Sequence, residues 1–536
     1  MKASGAQRRD WATAVRWSIL AAAIGAFLWF VSLFYLPDRG FTSFLTLGER
    51  EHSHYLPELR AMDVVVLPDS HGYDAQYYAQ LAMRPNLRDP ALASAIDNLP
   101  YRARRMLLSW TAWLLGGGDA ERALHVYAVQ NVVAWLLLAV VLLHWFPPSS
   151  ASHLVRWLGV MASLGLWSSV RHALVDGPSL LLIALGLLAL ERNRRWGAAA
   201  IFGLAGLARE TNLLAAVALL PRERTARAWG AALAQALIVA GPLALWIAWV
   251  THAVGTGSGS TAANFAFPFI GYAQEWRESL AHTRLPLGFA ESWAGLAVII
   301  GLTVQLLFFA LRPRVSDPWW RLGAMYLVLM TVLGPAVWEG IPGAACRVLL
   351  PLTLAFNLLV PRGRWWWPVL LLGNVSVIPT VLTIPPAIGE VVAVVDHGEE
   401  SRAAPSDGRV EVRFGEGWYP MEQSRYGGER WRWASGSAGV TIFNPAAVAR
   451  RARLEFEIAG RGARTVRVQL GEQALWEDAI AARAAAVFLP DVILPPGATE
   501  LTFVVDRPGT AGDGDSRLLA FMLKDARLVV LGDADE

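Results

Sequence analysis

Cysteine and charged side chains are scarce in this chain of 536 residues. Its one cysteine, Cys346, excludes a disulfide within the chain and any cysteine-based metal cluster. Only 17% of the residues are charged, whereas 54% are hydrophobic and the mean hydropathy is +0.37. A water-soluble protein of this length would expose far more charge, so the sequence predicts a membrane protein with several spans.

The positive charge is spread along the chain in small groups. The net charge is +3 and the isoelectric point is about 9.1, but the arginines stand in short clusters between apolar runs. This pattern indicates membrane topology and argues against a nucleic acid partner. The first apolar run, 17–36, lacks the small-residue cleavage site of a signal peptide, so we expect it to remain as a span. Lys2, Arg8, Arg9 and Arg16 precede it and predict a cytoplasmic N-terminus.

Apolar runs and their flanking arginines predict eleven membrane segments within a membrane domain of residues 1–386, because about 20 apolar residues cross a bilayer. The C-terminus is then outside. Residues 37–121 form a large outer loop, in which 101–115 is too short to span and is interpreted as an amphipathic or re-entrant helix. The predicted segments are 17–36, 123–146, 154–170, 178–190, two halves of 196–220, 228–251, 292–311, 319–338, 348–360 and 365–384.

The run 196–220 is interpreted as a hairpin. Arginine clusters lie at both of its ends, so a single crossing would place one cluster on the wrong side of the membrane. Arg209 and Glu210 interrupt its middle, where a charge at bilayer depth costs about 2.5 to 3.5 kcal/mol on insertion scales. Two half-length helices that enter and leave from the cytoplasm would place these two residues at the turn. A mutual ion pair between the two residues is the simplest way to offset this cost. Adjacent residues of a helix point in different directions, however, so we expect each of the two to have another partner.

The composition changes after the last apolar run. Short alternating runs separated by glycine, proline and aspartate turns predict an all-β sandwich, jelly-roll-like, at 409–536 outside the membrane, behind a linker at 387–408. Its Trp418-Tyr419 and Trp431-Arg432-Trp433 have aromatic rings that either fill the core of the sandwich or stack on sugar rings.

The outer loop holds the densest group of polar and aromatic residues. Asp69, His71 and Asp74 lie with Tyr73, Gln76 and Tyr77 near a membrane exit. Polar groups beside aromatic rings suit a site that stacks on a sugar and hydrogen-bonds its hydroxyls. An aromatic belt at the membrane interface explains the tyrosines equally well.

Several arginines and acidic residues at other predicted membrane boundaries complete the candidate set. Arg102, Arg104 and Arg105 suit an anionic headgroup or a diphosphate, or ordinary lipid contact. Arg171 and Asp176 precede a span, where Asp176 also suits a helix cap. Glu339 and Arg347 flank the last outer turn and suit a salt bridge.

Together these features resemble the GT-C glycosyltransferases, integral-membrane enzymes of the protein-mannosyltransferase type that use polyprenyl-phosphate sugars. The resemblance covers roughly residues 10–385. It is carried by Gly72-Tyr73-Asp74-Ala75-Gln76-Tyr77-Tyr78, by Arg171…Asp176, by Gly206-Leu207-Ala208-Arg209-Glu210-Thr211 and by Glu339…Arg347. It implies an outward-facing cavity in which a first-loop aspartate activates the acceptor and basic residues hold the lipid phosphate.

By position, the resemblance makes Asp74 the expected base. Many relatives place their acidic pair closer to the first span, so Asp69 and Asp63 stay open as alternatives. Basic residues, with Arg209 central and Arg102 or Arg105 as clamps, are then expected on the phosphate. A single acting carboxylate implies an inverting displacement, whereas Asp74 together with Asp176 would instead suit a divalent cation.

The expected partners are a polyprenyl-phosphate sugar, membrane lipids and an acceptor that is a glycan, a lipid or a protein. The expected location is a bacterial-type inner membrane, with the C-terminal domain periplasmic or extracellular. Two other functions use the same charged residues. One is a transporter or flippase for lipid-linked sugars. Transporters commonly contain a pair of broken helices, whereas this sequence predicts one and shows no second copy. The other is a non-catalytic subunit of a polysaccharide assembly system that presents the β domain.

Overall fold

The computed structural model forms two units, a helical unit and a β unit. The helical unit comprises Met1–Leu47, Glu51–Val66 and Gly72–Ile384, and the β unit comprises Gly48–Arg50, Leu67–His71 and Pro385–Glu536. The structure describes residues 2–37, 39–67, 70–223, 225–255, 264–283, 289–338, 343–382, 390–393, 410–423, 430–482, 484–512 and 515–534.

The helical unit is built from α-helices of very different lengths. In chain order they are α1 (Lys2–Ser32), α2 (Pro57–Ala61), α3 (Ala75–Met83), α4 (Ala91–Ala95), α5 (Leu99–Arg102), α6 (Leu107–Leu115), α7 (Ala120–Leu142), α8 (Ala151–Met161), α9 (Leu164–Arg171), α10 (Asp176–Glu191), α11 (Arg195–Ala208), α12 (Ala226–Val254), α13 (Ile270–His282), α14 (Phe289–Leu311), α15 (Pro318–Val332), α16 (Pro335–Trp338), α17 (Ala345–Val348), α18 (Leu350–Leu359), α19 (Trp367–Gly373) and α20 (Val377–Leu382). Short 3₁₀ helices lie at Thr42–Leu45, Glu49–His54, Ala103–Arg105, Glu210–Leu219 and Arg364–Trp366.

Side-chain caps define where several of these helices begin. The side chains of Asp119, Ser150, Thr225 and Asp317 each accept a hydrogen bond from a backbone N–H in the first turn of α7, α8, α12 and α15. Such a cap satisfies one of the backbone donors that have no partner inside the helix. Polar residues at the ends of apolar runs therefore set the helix boundaries.

Among the described residues, four helices are long and apolar enough to cross a membrane: Trp11–Ser32 of α1, Ala120–Leu142, Ala226–Val254 and Trp293–Leu311 of α14. Other predicted segments are interrupted. The run 154–170 divides into α8 and α9, and the run 319–338 ends as α15 before Pro335 opens α16. A proline lacks the N–H that would continue the preceding helix. The predicted helical membrane architecture is confirmed, and the count of eleven segments stays a prediction.

The hairpin predicted at 196–220 is present. Helix α11 ends at Ala208, Arg209 takes an extended backbone conformation, and the 3₁₀ helix Glu210–Leu219 leads back. The two arms lie side by side, because the Arg195 guanidinium donates to the Leu219 carbonyl near the base and Asn212 Nδ2 donates to the Ala205 carbonyl at 2.8 Å near the turn. Arg209 and Glu210 therefore lie at the turn.

The β unit consists of antiparallel sheets. Its strands are β3 (Glu390–Ala393), β4 (Glu411–Phe414), β5 (Glu422–Gln423), β6 (Arg430–Ala434), β7 (Ala438–Asn444), β8 (Arg450–Gly460), β9 (Arg464–Leu470), β10 (Gln473–Ile480), β11 (Ala485–Phe488), β12 (Val492–Leu494), β13 (Gly497–Val505), β14 (Thr510–Gly512), β15 (Asp515–Leu519) and β16 (Phe521–Asp533). They follow the short strands β1 (Leu47–Gly48) and β2 (Val66–Leu67) in the chain.

Within the described part of the β unit, five strands form one sheet in the order β10-β9-β13-β7-β4. Seven form another, in which β11-β8-β16-β6-β5 are joined by β12 beside β8 and β3 beside β16. Residues on β7 alternate between buried and partly exposed, as a strand with one face on a core requires. Val440 and Leu501 of the first sheet and Phe456 and Leu523 of the second belong to one buried hydrophobic cluster. The predicted C-terminal β domain is confirmed, and the jelly-roll-like sandwich stays a prediction.

The predicted linker and the tryptophans of the β unit have defined surroundings in part. Residues 390–393, inside the predicted linker 387–408, form β3, because they pair with Arg527–Val530 of β16. The ring of Trp418 packs on Phe503 and Phe521, with centroids 5.7 and 5.4 Å apart. Core packing therefore accounts for Trp418, whereas glycan binding by the β unit stays a prediction.

Candidate active site

A cavity of about 610 Å³ lies inside the helical unit. The first loop, the turn before α10, the hairpin and the segment around α15 to α17 all contribute to its wall. Asp74 and Arg209 line it together, so the loop carboxylate and the guanidinium of the hairpin face one chamber. Its charged lining residues are Asp74, Asp97, Arg102, Arg104, Arg105, Asp176, Arg209, Glu210 and Arg347.

Asp74 enters the chamber at the start of α3. Gly72 has a positive φ of 70°, which favours glycine, and it turns the chain so that Asp74 directly precedes the helix. A carboxylate there is favoured by the positive end of the helix dipole. Asp74 Oδ1 lies 2.9 Å from Arg102 Nη1, and Arg102 Nη2 lies 2.7 Å from Asp97 Oδ2. Arg102 is thus held between two carboxylates.

The protonation state of Asp74 follows from its neighbours. Burial alone would raise the pKa of Asp74, but the guanidiniums of Arg102, Arg347 and Arg105 outweigh burial and hold the pKa below its ordinary value. The side chain of Asp74 is nevertheless 34% exposed. Asp74 is therefore an ionised carboxylate that small molecules in the chamber can reach.

Arg105 ties the first loop to the turn of the hairpin. Its Nε lies 2.9 Å from Glu210 Oε2, and its other nitrogens donate to the hydroxyls of Tyr78 at 3.1 Å and Tyr101 at 2.7 Å. These partners satisfy a guanidinium that is largely buried. Glu210 consequently pairs with Arg105 and not with the adjacent Arg209.

Asp176 is the most buried charge of the chamber, with a side chain 2% exposed. Its oxygens accept from Arg209 and, at 3.4 Å, from Arg347, while Arg347 also donates to the Tyr73 hydroxyl at 2.7 Å. Asp176 is the first residue of α10 and makes no capping bond, so the ion pairs account for its position. Buried Nε atoms of Arg209 and Arg347 have no acceptor among the described residues.

The chamber carries an excess of positive charge. Five guanidiniums and four carboxylates line it. Four of the arginines contact a carboxylate, and the fifth, Arg104, makes no ion pair within the part of the chain that the structure describes. One positive charge therefore stays without a protein partner.

Other predicted site residues have different surroundings. Gln76 is buried and accepts from the Tyr55 hydroxyl at 2.6 Å, and Arg171 donates to the Ser43 carbonyl at 3.2 Å under the ring of Phe34. Tyr77 packs under the Arg102 guanidinium at 4.9 Å, and burial raises its pKa to about 12. None of these three described residues belongs to the chamber lining.

The remaining candidates lie at the surface or outside the described residues. Asp63 pairs with Arg39 at 2.6 Å and is 61% exposed. His71 is exposed as well. Asp69 and Glu339 fall outside the residues that the structure describes.

Sequence reasoning missed two residues of the chamber lining, Asp97 and Tyr101, and it assigned Arg104 no role beyond contact with an anionic group. Asp97 stands five positions before Arg102, beside Asn98, whose side chain accepts from the Tyr101 N–H at 3.2 Å as a helix cap. An acidic residue beside a cap ordinarily indicates only a helix start. The cluster of arginines that follows was the available signal.

The chamber offers little to a divalent cation. Asp74 and Asp176 are each held by guanidiniums, which a cation would have to displace. No group of three or more His, Cys, Asp or Glu side chains arranged to hold a metal occurs in the described ranges. The donor set therefore fits an anionic ligand better than a metal ion.

Part of the chain that forms this chamber is similar to a known family. Residues 107–337 match glycosyltransferase family 87. This is a GT-C-type family of membrane glycosyltransferases, so the resemblance drawn from the sequence is confirmed. The matched segment contains Asp176, Arg209 and Glu210 and makes up less than half of the chain.

Solved structures give only weak likenesses. A GH26-CBM35 β-(1,4)-mannanase of Podospora anserina is 17% identical, with a TM-score of 0.17, over 23% of this chain, and the chain spans only 28% of the mannanase. A C-terminal CBM6 of LamC from Zobellia galactanivorans is 12% identical over 23% of this chain and 99% of that module, with a TM-score of 0.16. A family 29 carbohydrate-binding module complexed with mannohexaose is 14% identical over 28% of this chain and 96% of the module, with a TM-score of 0.17. Scores this low support no inference about fold or binding. No curated protein matches the chain.

Proposed function

We propose that this protein is a membrane glycosyltransferase that moves a sugar from a polyprenyl-phosphate donor to an acceptor at the extracytoplasmic side of the membrane. One observation carries the proposal: a single cavity brings the reachable carboxylate of Asp74 together with five guanidiniums. A carboxylate suits an acceptor hydroxyl, and guanidiniums suit phosphate oxygens.

The charge of the chamber supports this donor class. A polyprenyl-phosphate sugar is a phosphodiester with one negative charge, and the chamber has one positive charge in excess. When the sugar leaves, the phosphate becomes a monoester and gains further negative charge. Arg104 and the unpartnered Nε atoms of Arg209 and Arg347 supply donors for that developing charge.

Asp74 fits the role of base better than Asp176 does. Asp176 is 2% exposed and bound by two arginines, whereas Asp74 is 34% exposed. In the proposed step the acceptor oxygen attacks the anomeric carbon and its proton passes to Asp74. The bond from the anomeric carbon to the phosphate oxygen breaks, and the lipid phosphate leaves. A single acting carboxylate makes this a one-step displacement that inverts the anomeric centre.

The wider setting follows the topology proposed from the sequence. The chain has eleven membrane segments in a bacterial-type inner membrane, with the N-terminus in the cytoplasm and a jelly-roll-like sandwich outside. The acceptor is a glycan, a lipid or a protein. The arginine flanks of the apolar runs support this orientation.

Transfer by the purified protein in liposomes tests the proposal. Labelled polyprenyl-phosphate sugar and a defined acceptor are supplied, and labelled product and free lipid phosphate are measured. Asp74→Asn is expected to lower transfer at least about 100-fold, the range of a lost general base. Asp63→Asn, a carboxylate of the same loop outside the chamber, should transfer as the wild type does.

The outcomes separate the alternatives. If Asp74→Asn transfers sugar normally, Asp74 is not the base. Movement of the labelled lipid across the bilayer without bond cleavage would indicate a transporter, and neither cleavage nor movement would indicate a non-catalytic subunit.

A further inference from the structure

A second cavity, of about 1050 Å³, lies at the other end of the same helices. Helix α10 starts in the chamber at Asp176 and ends at Glu191, which lines the second cavity. Its 16 residues span about 24 Å at 1.5 Å per residue. The hairpin, with its turn in the chamber, has its base at Arg195 and Leu220 in this cavity. The two cavities therefore lie at opposite ends of α10 and of the hairpin.

Four arginines and three acidic residues line this second cavity, the basal cavity. Three of the arginines donate to backbone carbonyls. Arg195 donates to the Leu219 carbonyl, Arg321 Nη1 to the Leu220 carbonyl at 2.7 Å and Arg222 Nε to the Ser316 carbonyl at 3.3 Å. A carbonyl is neutral, so these bonds position the guanidiniums without cancelling their charge. The four arginines of the lining are Arg195, Arg222, Arg227 and Arg321.

Two of the three acidic residues of the lining, Glu191 and Asp317, are engaged elsewhere. Glu191 accepts from the indole N–H groups of Trp145 at 2.9 Å and Trp319 at 2.7 Å. Asp317 caps α15 by accepting from the backbone N–H of Trp319 at 2.9 Å. No ion pair among the described residues joins Glu191, Asp317 or Glu223 to any of the four arginines. The charges of Arg195 and Arg222 both lie close enough to repel the charge of Arg321.

The surroundings of the cavity suit the depth of lipid headgroups. Trp196 is 53% exposed at its edge, and Trp319 packs on the ring of Trp145 with centroids 5.2 Å apart. Tryptophan is typical of the interface between lipid and water, and arginines flank the cytoplasmic ends of membrane helices. In the topology proposed above, on which this inference rests, the cavity therefore lies at the depth of the phosphate groups of the cytoplasmic leaflet.

We infer that the basal cavity binds the phosphate group of an anionic phospholipid from the cytoplasmic leaflet. Clustered guanidiniums held by neutral carbonyls offer fork-shaped donors to phosphate oxygens and need an anion to relieve their mutual repulsion. The apolar stems of Leu187, Leu190 and Ala231 line the same space. The bound phosphate bridges the base of the hairpin and the start of α15, because the arginines of the cavity come from both segments.

Titration of the purified protein in detergent tests the inference. Phosphatidylglycerol, phosphatidylcholine and inorganic phosphate are added separately, and the midpoint of thermal unfolding is followed. A ligand that binds only the folded protein raises this midpoint. Phosphatidylglycerol should raise it, whereas phosphatidylcholine, which has no net charge, and inorganic phosphate should not.

Two double variants distinguish the cavity from general surface charge. Arg222→Gln with Arg227→Gln removes two exposed cavity arginines, of which Arg222 makes one long bond and Arg227 none among the described residues. Arg192→Gln with Arg314→Gln removes the same charge from exposed positions outside the lining.

The cavity variant should bind phosphatidylglycerol about 25-fold more weakly, since each arginine near an anionic lipid contributes roughly fivefold. The control should bind as the wild type does, and both should unfold normally without lipid. An equal loss in both variants, or an equal effect of phosphatidylcholine, would overturn the inference. A midpoint rise with inorganic phosphate alone would assign the cavity to soluble phosphate compounds instead of lipid.

Discussion

Asp176→Asn tests whether the buried ion pairs hold the chamber together. The substitution keeps the shape of the side chain but removes the charge that Arg209 and Arg347 share. Their guanidiniums are 12% and 5% exposed, and both already have a buried Nε without an acceptor among the described residues. Removing one member of a buried ion pair costs about 3 to 5 kcal/mol because the remaining charge stays buried. We expect a loss of that size in the free energy of unfolding.

The measurement is the thermal unfolding midpoint in detergent, with Asp63→Asn as the matched control. Asp63 also pairs with an arginine, but the two side chains are 61% and 37% exposed, and such pairs contribute at most about 1 kcal/mol. Asp176→Asn should lower the midpoint by roughly 5 °C, and the control by about 1 °C or less. Adding Arg347→Gln to Asp176→Asn should recover part of the loss, since one uncompensated cation is removed. Equal shifts for the two single variants, or no recovery in the double variant, would refute this account.

Three further predictions concern charge in the chamber and in α13. Arg104→Gln should lower the rate of sugar transfer by about 10- to 100-fold, while Arg104→Lys retains most of it, because the excess positive charge faces the leaving phosphate; equal loss in both would contradict this. Because the pKa of Asp74 is lowered from 3.8, its carboxylate stays ionised, and its stabilising charge is lost only as the pH falls through that lowered pKa. The rate of sugar transfer should therefore not fall through protonation of Asp74 between about pH 8 and about pH 5. Transfer rates of the wild type and of Asp74→Glu, measured across this pH range, check this expectation. Glu275 is buried beside the Ser279 hydroxyl, and burial raises its pKa from 4.5 to about 7, so its stabilising contribution is present below 4.5 and lost as the pH rises through 7. Glu275→Gln should therefore raise the free energy of unfolding at about pH 8, by up to about 3 kcal/mol, and leave it nearly unchanged at about pH 4, as thermal unfolding at the two pH values can measure; a pH-independent effect would contradict the assignment.

Local patterns in the sequence were enough to predict the secondary structure that carries the chamber. Arginine clusters at both ends of 196–220 predicted a turn at Arg209 and Glu210, and the chain does turn there. This prediction needs only the neighbouring residues, because a charge within an apolar run must lie near a membrane boundary or beside a partner of opposite charge. Alternating residues after 409 likewise predicted strands, because a strand with one buried face has a period of two.

Local patterns were less informative where a helix is interrupted. The run 154–170 is apolar except for Arg156 and three serines, yet α8 ends at Met161 and α9 starts at Leu164. Hydropathy measures how favourably a segment transfers into lipid, and it does not indicate where a helix within that segment ends. Residues 390–393 join the sheet for a similar reason, since the pairing with β16 decides their conformation.

The sequence by itself determined that this is a helical membrane protein with a β domain, and which charged residues stand at helix ends. Only the tertiary structure decided the partners of those charges. Arg347 reaches Asp176 across 171 positions, Arg105 reaches Glu210 across 105, and Asp97 shares Arg102 with Asp74. Hydropathy and spacing act over one or two helical turns, whereas an ion pair depends on which distant segments pack together. The charge left over at Arg104 follows from that packing as well.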